Sequence, residues 1–171
     1  MNLIDKRGNL PTWNKLKKGR KKRNYSKRDI KKIDSIAVHH SATFEGSSEA
    51  FANYHINHNG WPGIGYTYVI YKDGQIDWCY DWNIKTAHVG NSNRTSLGIC
   101  LIGNFTKEEP TEQQLQSASN LCMILIDKIE SIKEIKSHQS FPGYSWKNCP
   151  SFDVMKITNR MRAFKDDHLK K

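Results

Sequence analysis

Long apolar runs are missing from this chain. The longest, such as Met123-Ile124-Leu125-Ile126, fall far short of the roughly 20 residues that cross a bilayer. The opening residues Met1-Asn2-Leu3-Ile4-Asp5 hold no apolar h-region, so no secretory signal is expected and the protein is expected to be made in the cytoplasm. Cysteine is scarce: Cys79, Cys100, Cys122 and Cys149 form no CxxC pair and no dense framework, and reduced thiols are expected. Cys100 and Cys122 lie in apolar patterns and read as small buried hydrophobes, which leaves Cys149 alone in a polar setting. No GxSxG or HExxH motif occurs. Gly60-Trp61-Pro62-Gly63-Ile64-Gly65 is rich in glycine, but it opens a strand rather than a helix and is no phosphate loop. Internal repeats are also absent.

What is present is enough for one domain with a core: 171 residues, of which 37% are hydrophobic. The net charge of +10 is concentrated. Lys15 to Lys32 contains eleven Lys or Arg and one acid, and the rest of the chain is formally neutral. Residues 1–32 therefore read as a basic N-terminal arm and 33–168 as the globular domain. Such an arm suits a polyanion (nucleic acid, an anionic membrane or an acidic wall polymer) or is a solvated, partly disordered lead-in.

Strand and helix signals alternate after the arm. Ile33 to His39 reads as a buried strand, and Ser47 or Ser48 caps a helix to about Asn59 with Ala50, Phe51, Tyr54 and His58 at helical spacing. Tyr66–Tyr71 and Gln75–Tyr80 flank Lys72-Asp73-Gly74 as a hairpin. The irregular stretch from Asp81 to Ser96 carries His88 and has the length of a binding loop. Leu97–Gly103 is another strand, and Thr111-Glu112-Gln113-Gln114 is a capping box. The helix it opens presents Leu115, Ala118, Cys122, Leu125, Ile126 and Ile129 on one face. A strand near Ile135 leads to His138, and Pro150-Ser151 opens a last helix with Phe152, Met155 and Met161. The expected class is α/β (α+β), a central mixed sheet flanked by helices.

Two stretches carry the chemistry. Ala37-Val38-His39-His40 is an apolar strand ending in two histidines; His138 precedes Lys147-Asn148-Cys149-Pro150. Two imidazoles and one thiolate make three protein ligands and leave a fourth zinc position open, the arrangement of a hydrolytic site. A Cys149 thiolate favoured by the start of the last helix would also serve nucleophilic catalysis, so zinc and a Cys/His nucleophile both remain open on spacing alone.

Five stretches in order carry a resemblance: Val38-His39-His40-Ser41-Ala42-Thr43; Gly60-Trp61 with Gly65-Tyr66-Thr67-Tyr68-Val69-Ile70; Ala87-His88-Val89-Gly90; Ser96-Leu97-Gly98-Ile99; and His138 through Lys147-Asn148-Cys149-Pro150. Over roughly residues 33 to 165 the chain resembles the zinc-dependent N-acetylmuramoyl-L-alanine amidases, the family of phage amidase-type lysozymes and peptidoglycan recognition proteins. The resemblance implies Zn2+ held by His39, His138 and Cys149, with His40 turned to the other face of its strand. It implies Lys147 as a fixed positive charge for the developing oxyanion. Tyr66 would be a hydrogen-bonding or proton-moving partner, His88 a substrate contact and Trp61 a groove wall beside it. Cys100 stands where the wall-recycling members carry a glutamate, which points to the phage branch. The spacing from His138 to Cys149 is longer than in those phage members.

The implied function is hydrolysis of the amide between the lactyl group of N-acetylmuramic acid and L-alanine of the stem peptide, as in a phage or prophage endolysin acting on the bacterial wall. Peptidoglycan is the implied partner, with anionic wall polymers for the Lys15–Lys32 segment; the resemblance turns the reading away from nucleic acid. The rivals are a non-catalytic recognition module of the same fold, a cysteine hydrolase, and a nucleic-acid-binding protein built around the basic arm. His55, His58 and His168 read as structural or solvated.

Overall fold

The computed structural model describes residues 1–169; the side chains of Lys165 and of residues 167–169 fall outside the description, so the expectation for His168 does too. Six strands form one mixed sheet in the order β1-β4-β3-β5-β2-β6. They are β1 (Leu3–Asp5), β2 (Ser35–His40), β3 (Tyr68–Ile70), β4 (Ile76–Trp78), β5 (Ser96–Leu101) and β6 (Glu134–Ser137). Only the β3–β4 hairpin is antiparallel. The helices are a single turn α1 (Trp13–Leu16), then α2 (Ser48–Asn59), α3 (Glu112–Lys128) and α4 (Met155–Leu169). This is the mixed sheet with flanking helices expected from the alternating pattern.

Strand alternation sorts the two faces. Ile36 and Val38 of β2, with Leu97, Ile99 and Leu101 of β5, enter one core with Leu115, Ala118, Leu125, Ile157 and Met161 of α3 and α4. Each such fully buried Ile or Leu stabilises the fold by roughly 1.5–3 kcal/mol. On the opposite face, Ala37 and His39 lie in register with Gly98 and Cys100, and Val69 of β3 continues the row. That face is covered by Ala52 of α2 together with Ile64 and Leu10.

Two local expectations need correction, and one strand is new. The buried residues of α2 are Ser48, Ala52, His55 and Ile56, whereas Tyr54 and His58 stack on each other at its exposed surface. Polar groups occupy this buried face because each is satisfied: Ser48 Oγ donates to Asp77 Oδ2 at 2.6 Å, and His55 Nδ1 accepts from the Gly65 N–H at 3.0 Å. The last helix starts at Met155, beyond Pro150-Ser151, so Cys149 has no helix N-terminus beside it. And β1, a three-residue edge strand, carries no sequence signal at all.

The basic segment is built into the domain. Leu10 and Trp13 are buried, the Trp13 N–H donates to Pro62 O at 2.8 Å, and Tyr25 OH donates to Gly63 O at 3.0 Å. Lys27 bridges to Ile84, and Arg28 is buried with its guanidinium on the carbonyls of Trp82, Asn93 and Ser96. Arg23 lies 3.8 Å over the Trp13 ring and donates to Gly60 O.

Candidate metal centre and active site

β2 delivers two adjacent histidines to opposite faces. His39 points to the face under α2, while the Nδ1 of His40 accepts from the Phe105 N–H at 3.2 Å and its ring stacks on Phe105. β6 runs beside β2 and ends at Ser137, so His138 follows directly at the level of His39; the two ring centroids are 4.5 Å apart. Cys149 is brought back by a chain of tight turns. Phe141 N donates to His138 O, Tyr144 N to Phe141 O and Lys147 N to Tyr144 O, and Gln139 N donates to Cys149 O at 3.2 Å, closing the loop.

His39, His138 and Cys149 are buried, and their donor atoms all lie within 4.8 Å of one another. His39 Nδ1 is 3.0 Å from His138 Nδ1 and 3.9 Å from Cys149 Sγ. Tetrahedral zinc with Zn–N near 2.0–2.1 Å and Zn–S near 2.3 Å sets N···N edges of about 3.3 Å and N···S edges of about 3.6 Å. The observed spacings bracket those edges, and the donor set, two imidazoles and one thiol, is zinc chemistry. The residues fit the ion.

Burial sets the protonation of this cluster. Desolvation, with neighbouring His88, His138 and Lys147, holds His39 well below the usual imidazole range. His138 falls to about 4, by burial and then by the Lys147 charge. Both imidazoles are therefore neutral and able to ligate near neutral pH. Burial pushes the Cys149 thiol up to about 11, against the opposing pull of the His40 backbone N–H and Lys147. The expected thiolate-favouring helix is absent and the metal-free cysteine is a thiol, the state of a poor nucleophile.

Around the cluster lies a cavity of about 440 Å³ lined by all seven residues singled out in the sequence: His39, Trp61, Tyr66, His88, His138, Lys147 and Cys149. The Tyr66 ring packs against His39 and His55, with centroids 5.3 and 5.5 Å away. Burial, with Cys100 and Cys149 nearby, pushes its phenol well above the ordinary range, so Tyr66 is a neutral donor. Lys147 is half-buried at the rim with its ammonium 5.5 Å from the Trp146 ring centroid. Trp61 packs on His55 at 4.8 Å and over Gly65, where an added Cβ would come within 2.8 Å of its ring and 2.3 Å of Ala87 O.

His88 is buried under the cluster: its Nδ1 is 3.1 Å from His39 Nε2 and its Nε2 3.4 Å from Ser96 O. Cys100 is fully buried beside Tyr66, with its thiol pushed far up by burial. Further lining residues are His40, Ser41, Ala42 and Ala87, and also His55, Asn59, Trp146 and Asn148. The helical positions of His55 and Asn59 carried no mark, whereas Trp146 and Asn148 flank Lys147 and could have been found from it.

The N-acetylmuramoyl-L-alanine amidase family model matches residues 29–152. The chain belongs to that amidase family. Peptidoglycan-recognition protein 1 of Holotrichia diomphalia is 30% identical over 57% of this chain and 53% of its own length. The endolysin of Escherichia phage T7 is 30% identical over 71% of this chain and 82% of its own. The chain thus spans about half of the recognition protein and about four-fifths of the phage endolysin. Among solved structures, the N-acetylmuramoyl-L-alanine amidase LysC from Clostridium intestinale URNW superposes with a TM-score of 0.74 at 23% identity, covering 95% of this chain and 98% of that one. At that identity the match establishes the fold.

Proposed function

We propose that this protein is a zinc-dependent N-acetylmuramoyl-L-alanine amidase that cuts bacterial peptidoglycan between the lactyl carbonyl and the L-alanine nitrogen, as a phage-type endolysin. The observation that carries the reading is the buried His39–His138–Cys149 cluster on the floor of a groove edged by Tyr66 and Lys147. A zinc ion held by His39, His138 and Cys149 would supply a water that ionises near neutral pH and a Lewis acid for the scissile carbonyl.

The chain's own groups do the rest. The Lys147 ammonium, whose field reaches His39, His138 and Cys149, stabilises negative charge growing on the carbonyl oxygen. The Tyr66 phenol, kept protonated by burial, donates a hydrogen bond to the attacking or developing oxygen. The water oxygen bonds to the carbonyl carbon, the carbon–nitrogen bond breaks, the lactyl group ends as a carboxylate, and the L-alanine amine leaves with a proton from the water. Trp61 and His55 form the wall along which the stem peptide lies. The Lys15–Lys32 surface holds anionic wall polymers.

A non-catalytic recognition module is the second reading, favoured by the recognition-protein relatives and opposed by the complete ligand set. Turbidity clearing of purified walls separates the two, using untreated, chelated and zinc-restored protein. New L-alanine amino termini without new reducing ends, lost on chelation and regained with zinc, are the expected result. Cleavage that ignores the chelator would overturn the metal reading; tight binding without cleavage would leave the recognition module.

A further inference from the structure

The two ring nitrogens of His88 are both committed inside the protein, and the commitments have a direction. Ser96 O can only accept, so the His88 Nε2 that lies 3.4 Å from it carries the proton. The buried guanidinium of Arg28 donates to the same carbonyl, which disfavours a second cation beside it. His88 is therefore a neutral imidazole with a bare Nδ1. That atom is 3.1 Å from His39 Nε2, so His39 must supply the hydrogen there. One proton on Nε2 leaves the lone pair of His39 on Nδ1, the atom that faces His138 Nδ1 and Cys149 Sγ.

We propose that His88 is a positioning residue, which fixes the tautomer and ring orientation of His39 so that its Nδ1 is aimed at the metal. The inference rests on the zinc reading above. Metal-bound histidines are typically held in this way through their second nitrogen, and loss of the holding group costs about 10–100-fold in affinity. The fold is cut to admit the ring: a Cβ on Gly98 would lie 2.8 Å from the His88 Cγ and 2.9 Å from its Nδ1. The peptide N–H groups of His88 and Val89 both donate to Asn93 Oδ1, at 2.9 and 2.7 Å, which fixes the backbone that carries the ring. Arg28 anchors the whole relay from the basic segment, one residue before the family match begins.

The test uses two readouts other than activity. In metal-free protein, long-range 1H–15N spectra should show His39 protonated on Nε2 and bare on Nδ1. In His88→Ala that preference should be lost and zinc affinity, measured by competition with a chromophoric chelator, should fall about 10–100-fold. His88→Asn, whose Oδ1 can take the place of the imidazole Nδ1 as acceptor, should retain affinity to within about threefold. Gly98→Ala should behave as His88→Ala. Wild-type affinity in His88→Ala, equal losses in the Ala and Asn variants, or a His39 proton on Nδ1 in the parent would each overturn the relay. A parent that binds no zinc, yet shows the Nε2 tautomer, would sink the metal reading and leave the relay standing.

Discussion

Lys147 and Tyr66 meet the same groove from different backgrounds. Lys147 sits two residues before a ligand in a loop held by sequential turns, so its charge is delivered by the backbone path to Cys149. Tyr66 precedes β3 and is held by ring packing on His39 and His55. Their expected losses differ accordingly. Lys147→Met should lower turnover by about 10²–10³, the usual cost of removing a group that stabilises an oxyanion. Tyr66→Phe should lower it by about 10–100, because the ring still packs and one hydrogen bond goes. Both should bind zinc as the parent does, measured by chelator competition, since neither belongs to the ligand set. A variant that lost zinc together with turnover would show a packing role instead. At this scale the resemblance carried the reading: the residues that it singled out all line one cavity. His55 was not legible, because a histidine on a helix is marked as functional only by what its face meets.

The elements around the site owe their precision to polar groups buried inside them. Gln114 closes the capping box at the start of α3, with its backbone N–H on Thr111 Oγ1 at 3.1 Å and its Oε1 accepting from Thr111 N at 3.0 Å. Fully buried, it also donates from Nε2 to Ile102 O at 2.8 Å and Ile70 O at 3.3 Å, and so ties the helix to the ends of β3 and β5. Gln114→Ala keeps the Thr111 Oγ1 cap on the backbone N–H but removes the return bond to Thr111 N and strands the buried Ile102 carbonyl, at a cost of about 1–3 kcal/mol. Urea unfolding should show that loss, with zinc affinity unchanged, because α3 packs on the face opposite the cluster. An unchanged unfolding midpoint would mean that water replaces the side chain.

Elements with strong local grammar (the capping box, the hairpin turn, the apolar β2 and β5) could be read from the sequence. Those set by tertiary contact could not. The face of α2 is chosen by Asp77 and Gly65, far along the chain, and the edge strand β1 exists only because β4 offers it a partner.

Charge organises the whole molecule. The excess of bases lies in residues 15–32, and the structure divides those bases by task. Lys17, Arg23 and Arg28 make hydrogen bonds that seat the segment on the domain, Lys17 on Asn57 of α2 and Arg23 on Gly60 O beside the groove wall, while Lys15 donates to Gly8 O within the segment. Lys18, Arg20, Lys21 and Lys22 are exposed and, among the described residues, make no ion pair. Exposed like charges held on a folded surface repel one another and are relieved by a polyanion, with binding that weakens as salt rises. Replacing these four by Gln leaves the seating contacts intact and removes only that field. Retention on purified walls should fall and lose most of its salt dependence, while turnover of a small soluble muropeptide should stay at the parent level. Stripping anionic polymer from the walls beforehand should weaken the parent to the level of the variant. If the quadruple variant bound walls as the parent does, these four bases would have no role in wall attachment. If it lost muropeptide turnover as well, the segment would be acting through the groove wall that it braces.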